Sequence, residues 1–184
     1  TATFVNPGAV TEGGTAAASF TGPVDPSAGD TAAGFRYAYD FDNDGTFDLG
    51  DGTYAGSAGV AAQVAVPVGF IPNSGSYTVR GRVIDKDGGF TDRTTAVTVT
   101  NANPTATFTN AGPTAEGAGT TVTLAAGTDP SPGDAAALRY AFDFDSDGTF
   151  DQGDGTYAGS GTGNVGTAAG KYFPDGPGTV TVRG

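Results

Sequence analysis

Three features of the sequence predict an all-β chain built as two tandem β-sandwich domains. Apolar residues alternate with polar ones in short runs, clusters of turn residues separate those runs, and the whole pattern is written twice. Thr1-Ala2-Thr3-Phe4 recurs as Thr105-Ala106-Thr107-Phe108, Glu12-Gly13 as Glu116-Gly117, and Arg36-Tyr37 as Arg139-Tyr140. Thr78-Val79-Arg80-Gly81 recurs as Thr181-Val182-Arg183-Gly184. The period is roughly a hundred residues, the size of a sandwich domain and far above that of a solenoid unit. The expected domains are 1–102 and 103–184, joined at Asn101-Ala102-Asn103-Pro104, too short a link to act as a long tether.

Each strand has its own signal. Phe35, Tyr37, Tyr39 and Phe41 alternate with Arg36, Ala38 and Asp40, which predicts a half-buried strand. Val64, Val66 and Val68 alternate in the same way, as do Tyr77, Val79, Gly81 and Val83. Val97 and Val99 lie in a Thr-rich segment that closes the first copy. Asp25 to Asp30, Pro72 to Gly75 and Asp85 to Gly89 read as turns, and no segment carries a sustained helical period with caps. The second copy ends at the counterpart of Gly81. It is therefore expected to lack its last strand, which continuation of the chain or a neighbouring subunit would supply.

Composition removes several functions. With no His and no Cys there is no Ser-His-Asp or Cys-His machinery, no imidazole or thiolate metal site and no disulfide. A net charge of −12 opposes binding to nucleic acid or to anionic membranes. No apolar run approaches the ~20 residues that span a bilayer, so membrane insertion is not expected. No signal peptide is visible, and the chain reads as a mature segment. Hydrophobic residues make up only 37% of the chain, against 32 Gly and 11 Pro. A core this thin predicts a fold that a bound ion helps to stabilise.

The chemistry lies in two nearly identical stretches, DFDNDGTFDLGDGTYAGS from Asp40 and DFDSDGTFDQGDGTYAGS from Asp143. Asp40, Asp42, Asp44, Asp48 and Asp51 fall at positions 1, 3, 5, 9 and 12 of a calcium loop, as do Asp143, Asp145, Asp147, Asp151 and Asp154. Gly45 and Gly148 stand at position 6, where such a loop turns sharply, and Thr46 and Thr149 at position 7, which contributes a backbone carbonyl. Five carboxylates in twelve residues repel one another unless a hard cation sits among them. One Ca2+ per loop is the expectation, over 40–51 and 143–154, with Asp48 and Asp151 acting through water. The shorter Asp at position 12 points to the roughly 10⁻⁴ to 10⁻³ M affinity of extracellular modules. Arg36 and Arg139 are expected to balance the loop charge, and Tyr54 and Tyr157 to pack at a strand edge or in the core.

With Tyr39-Asp40-Phe41, the later Tyr77-Thr78-Val79-Arg80-Gly81-Arg82-Val83-Ile84-Asp85 and the closing Thr95-Ala96-Val97-Thr98-Val99-Thr100, the first copy resembles the PKD (polycystic kidney disease) domain. Phe142-Asp143-Phe144 carries the same signature in the second copy. The resemblance implies an immunoglobulin-like β-sandwich of secreted and surface proteins. Where that family has a short Gly-Asp-Gly, this chain inserts its Asp loop, which resembles the calcium loops of dockerins and thrombospondin-type repeats.

A second acidic set, Glu12, Asp25 and Asp30 with Asp85 and Asp87, is explained by turn chemistry or by a second calcium site, and Glu116, Asp129 and Asp134 repeat part of it. Paired carboxylates can also hydrolyse glycosides, but here they crowd one duplicated loop with no Trp or His to shape a sugar site. The expected role is therefore not enzymatic. It is that of an extracellular or cell-surface structural and adhesive module, stiffened by calcium and joined in an array or filament by self-association or chain continuation. The rival is a spacer or carbohydrate-binding appendage of a secreted hydrolase.

Overall fold

The computed structural model describes every residue of 1–184 except 174 and 176. The chain is all-β and divides into two compact units, Thr1–Ala102 and Asn103–Gly184.

The first unit is a two-sheet sandwich with immunoglobulin-like topology. One sheet orders β1 (Thr3–Val5), β3 (Ala16–Thr21) and β5 (Gln63–Val66) side by side. The other orders β2 (Val10–Thr11), β7 (Phe90–Thr100), β6 (Gly75–Ile84) and β4 (Arg36–Asp40). All pairs are antiparallel except β2 on β7, where Val10 lies opposite Val99. The inward residues of both sheets meet in one core: Phe4, Phe20, Tyr37, Tyr39 and Phe41 with Val66, Val79, Val83, Val97 and Val99. The aromatic rings run through it in sequence, with Phe4 on Phe20 at 4.5 Å, Phe20 on Tyr37 at 5.5 Å and Tyr39 on Phe41 at 6.2 Å. Aromatic area thus does the work for which this composition has few aliphatic side chains. Gly81 makes room for the rings, because a Cβ there would lie 2.7 Å from Phe20 and 2.9 Å from Phe4.

Three details differ from the alternation read in the sequence. β4 is buried on both faces, with Ala38 and Asp40 as inaccessible as Tyr39. The segment after β4 folds back over its outer face, pairing Leu49 with Tyr39 and laying Gly50 against Ala38. β5 stops at Val66 because Pro67 follows, and Val68 is exposed on a short 3₁₀ turn, Val68–Phe70. The Asp25–Asp30 turn includes one six-residue helix, α1 (Ala28–Ala33), whose N-cap Ser27 accepts from the Asp30 amide.

The second unit repeats one sheet as β8 (Thr105–Asn110), β9 (Thr120–Thr128) and β10 (Val165–Ala168), with α2 (Pro132–Ala135) again capped by a serine, Ser131. Its core is smaller: Val122, Phe142, Phe144 and Ala168, flanked by Leu124, Tyr140, Tyr172 and Phe173. The counterparts of β4 and β6 pair, among the described residues, at one bridge, Asp143 with Arg183. Among the described residues no strand of this unit corresponds to β7. Thr114 and Ala115, in the place of β2, and Thr179, Val180 and Val182, in the place of β6, line one open groove of about 890 Å³.

Candidate cation-binding loops

Both Asp loops start inside the sandwich and return to it. Asp40 ends β4 with no solvent exposure, and Asp143 is equally buried. Asn43 and Gly45 take positive φ (57° and 103°), as do Ser146 and Gly148 (59° and 99°), so the two copies share one conformation. The chain then hydrogen-bonds to its own origin. The amides of Asp48 and Leu49 donate to the Tyr39 carbonyl at 2.8 and 3.0 Å, and those of Asp151 and Gln152 donate to the Phe142 carbonyl at 2.8 and 3.0 Å. That return places the Asp48 carboxylate on the Phe41 amide at 2.7 Å and the Asp151 carboxylate on the Phe144 amide at 2.8 Å.

Asp40, Asp42 and Asp48 consequently gather, one carboxylate oxygen of each within 4.8 Å of the others, and Asp143, Asp145 and Asp151 do the same. Two oxygens bound to one calcium at ~2.3–2.6 Å lie at most about 5.2 Å apart, so each trio is close enough to share one ion. The trio takes positions 1, 3 and 9 of the loop. Asp44 and Asp147 stand outside it and accept the amides of Thr46 and Thr149, each at 2.7 Å. Asp51 and Asp154 also stand outside, each accepting both the amide and the hydroxyl of a threonine, Thr53 or Thr156. These threonine bonds hold both carboxyls below the usual carboxylate range. Asp42 is pushed the other way, by desolvation first and then by the negative charges of Asp44 and Asp48.

Arginine balances part of each loop, but a different arginine from the one expected. Arg36 donates to the Tyr54 carbonyl at 3.0 Å and stacks on the Tyr54 ring at 4.3 Å; Arg139 stacks on Tyr157, which is 62% exposed rather than packed in a core. The partner of Asp40 is Arg80 on β6, which donates a hydrogen bond from Nε at 3.1 Å and brings Nη2 to 3.0 Å as an ion pair, and Arg183 Nη2 forms the matching ion pair with Asp143 at 3.1 Å. The duplicated Thr-Val-Arg-Gly held this signal, since a charged residue fixed in a strand facing a buried aspartate forms the natural pair. In the first loop Asp40 Oδ1 accepts the Asp44 amide at 3.1 Å. In the second, Asp143 Oδ1 is buried and has no hydrogen-bond partner. A buried carboxylate oxygen without a donor is costly. In a trio of hard oxygen donors it fits a calcium ligand.

The second acidic set separates into two arrangements. Glu12 is a structural clamp, accepting the amides of Ser74 at 2.5 Å and Ala102 at 2.8 Å. Asp25, Asp30 and Asp85 do approach within 4.8 Å, but Lys86 lies 2.8 Å from Asp30 and 2.6 Å from Asp87. That ammonium lowers the Asp30 carboxyl and supplies the positive charge there.

No protein-family model matches the chain. No curated protein matches it either. Among solved structures it is similar to fibronectin(III)-like modules of Clostridium thermocellum CbhA, at 15% identity over 91% of this chain and 78% of that one, with a TM-score of 0.34. A likeness at that level adds nothing to the strand order described above. Among the described residues no helix is long and apolar enough to cross a membrane.

Proposed function

We propose that this chain is a non-catalytic, extracellular structural module of the PKD-like immunoglobulin class, in which each Asp loop holds one Ca2+ that stiffens its sandwich. The observation that carries the reading is Asp143 Oδ1, a buried oxygen without a donor in a trio of carboxylates repeated at Asp40, Asp42 and Asp48. A bound calcium supplies the positive charge that the trio lacks. Asp40 and Asp143, fixed by strand and arginine, anchor the site. Asp42 and Asp145 close it from the turn, and Asp48 and Asp151 tie it to the backbone of Phe41 and Phe144. Asp44, Asp147 and the Thr46 and Thr149 carbonyls remain within the same loops to complete an oxygen shell, while Asp51 and Asp154 order the following turn. Neutralising the trio locks the segment that covers β4, and so strengthens a unit with a thin core. Joined in series, by continuation of the chain or by exchange of strands between molecules, such modules would form a surface array or filament.

The test is thermal unfolding of the full chain in EDTA and in 10 mM CaCl₂. With a dissociation constant of about 10⁻⁴ M, calcium adds about 2.7 kcal/mol per site. That raises the melting temperature by roughly 10–20 °C for units of this size. Melting curves that coincide in the two buffers, with no heat on calorimetric titration, overturn the proposal.

A further inference from the structure

The loops themselves differ at Asn43 versus Ser146 and at Leu49 versus Gln152, but the element packed beside them differs more. Each loop lies against a single 3₁₀ turn, Val68–Phe70 in the first unit and Gly170–Tyr172 in the second. The last residue of that turn packs its ring on the phenylalanine that follows the buried aspartate. Phe70 lies 5.4 Å from Phe41, and Tyr172 lies 5.4 Å from Phe144. Tyr172 therefore stands in the place of Phe70, and Lys171 in the place of Gly69.

The substitution reaches the trio. The Tyr172 hydroxyl donates to Asp151 Oδ1 at 2.5 Å, while Asp151 Oδ2 accepts the Phe144 amide at 2.8 Å, so both oxygens of Asp151 are engaged. Asp48 has the matching bond from the Phe41 amide, and Phe70 has no hydroxyl to offer it. Lys171 Nζ lies 4.6 Å from the centre of the Tyr172 ring. Its charge interacts favourably with Asp151 and Asp145, two of the three carboxylates of the second trio.

We propose that the two loops are cation sites of unequal affinity, and that Lys171 and Tyr172 form the device that weakens the second. The inference rests on the calcium reading above. To bind through Asp151 Oδ1 a cation must displace the phenol, and it meets an ammonium that already offsets two of its ligands. The first site has neither of these opponents; its Asp40 Oδ1 accepts the Asp44 amide at 3.1 Å, a backbone bond in an exposed turn that water can replace, where Asp143 Oδ1 has no donor. Breaking one hydrogen bond to a charged group and facing one exposed like charge separate the sites by about tenfold or more. At intermediate calcium the first unit is then stiffened and the second is not, so the module senses calcium in two steps.

The experiment titrates CaCl₂ into the full chain, freed of metal by chelator, and follows the NMR amide signals of Gly45 and Gly148. These lie on the turn of each loop and report the two sites separately. The expected result is saturation of Gly45 at about tenfold less calcium than Gly148. Tyr172→Phe combined with Lys171→Gly installs the residues of the first unit and brings the midpoints within about threefold. The reciprocal Phe70→Tyr with Gly69→Lys weakens the first site, and amide dispersion confirms that each variant is folded. Midpoints that coincide in the unaltered chain, or a difference that survives both exchanges, overturn this inference and leave the calcium reading standing. Signals that never move overturn the calcium reading itself.

Discussion

Asp40→Ala separates the structural duty of the loop from its affinity for metal. In the folded chain the Asp40 carboxylate, which has no solvent exposure, accepts the Asp44 amide at 3.1 Å and the Gly45 amide at 3.0 Å. It also holds Arg80 through Nε and Nη2. Removing one partner of a buried pair costs about 3–5 kcal/mol. Arg80 is 20% exposed and has Asp92 within 3.8 Å, which moves the figure to the low end. The two amides lie in an exposed turn and recover water, adding less than about 1 kcal/mol each. The expected loss is about 3 kcal/mol, or roughly 12–24 °C in the melting temperature of the first unit. It should appear in EDTA, where metal plays no part. Asp42→Ala is the contrast: its carboxylate is exposed and accepts the Asp44 amide at 3.2 Å, so in EDTA the substitution should leave the melting temperature nearly unchanged while abolishing stabilisation by calcium. Differential scanning calorimetry measures both, with amide exchange of β4 and β6 assigning the transition to the first unit. An Asp40→Ala protein within about 1 kcal/mol of the parent in EDTA would refute the claim that the carboxylate organises the loop before any metal binds.

Other consequences are simpler to read. Gly81→Ala drives a methyl into Phe20 and Phe4 and should cost about 1–3 kcal/mol, visible as a lower urea midpoint. Asp92 is held below the ordinary carboxylate range by its hydrogen bonds to Arg82, at 2.6 and 2.8 Å. Its contribution is therefore complete above about pH 4 and disappears as pH falls through the lowered folded value. Asp92→Asn should flatten that acid limb in a urea series from pH 2 to 6 in EDTA; an unchanged slope would remove the pair from the account.

What the sequence revealed follows from what period and composition encode. The doubled pattern located both units, and the alternation of Phe and Tyr found β4, because a strand exposes its inward face at every second residue. It did not show that Ala38 and Asp40 are buried as well, since their cover comes from a non-local return of the chain at Leu49 and Gly50. The aspartate spacing singled out the loop as a candidate cation site but not which carboxylates converge. Asp44, Asp51, Asp147 and Asp154 were as conspicuous as the others, and short bonds to the amides of Thr46, Thr53, Thr149 and Thr156 take them outside the trios. Arg80 was hidden because its partner lies on a neighbouring strand, forty residues away.

Duplication supplies the control that one loop alone would lack. Where the copies agree, in the turn conformation, the trio and the strand arginine, the arrangement belongs to the loop as a folded object. It is held by backbone amides and by one guanidinium from the chain itself. Like charges brought this close repel: the Asp42 carboxyl is raised by desolvation first and then by the charges of Asp44 and Asp48, while the arginine pairs with the buried member. The negative charge that remains on the trio is what a divalent ion would relieve, and on the calcium reading proposed above the loop would gain rigidity from it. Where the copies disagree, at Gly69-Phe70 and Lys171-Tyr172, the second unit has found another relief, a phenol and an ammonium from its own chain. A loop with an internal cation would need the external one less and, as proposed, would bind it more weakly.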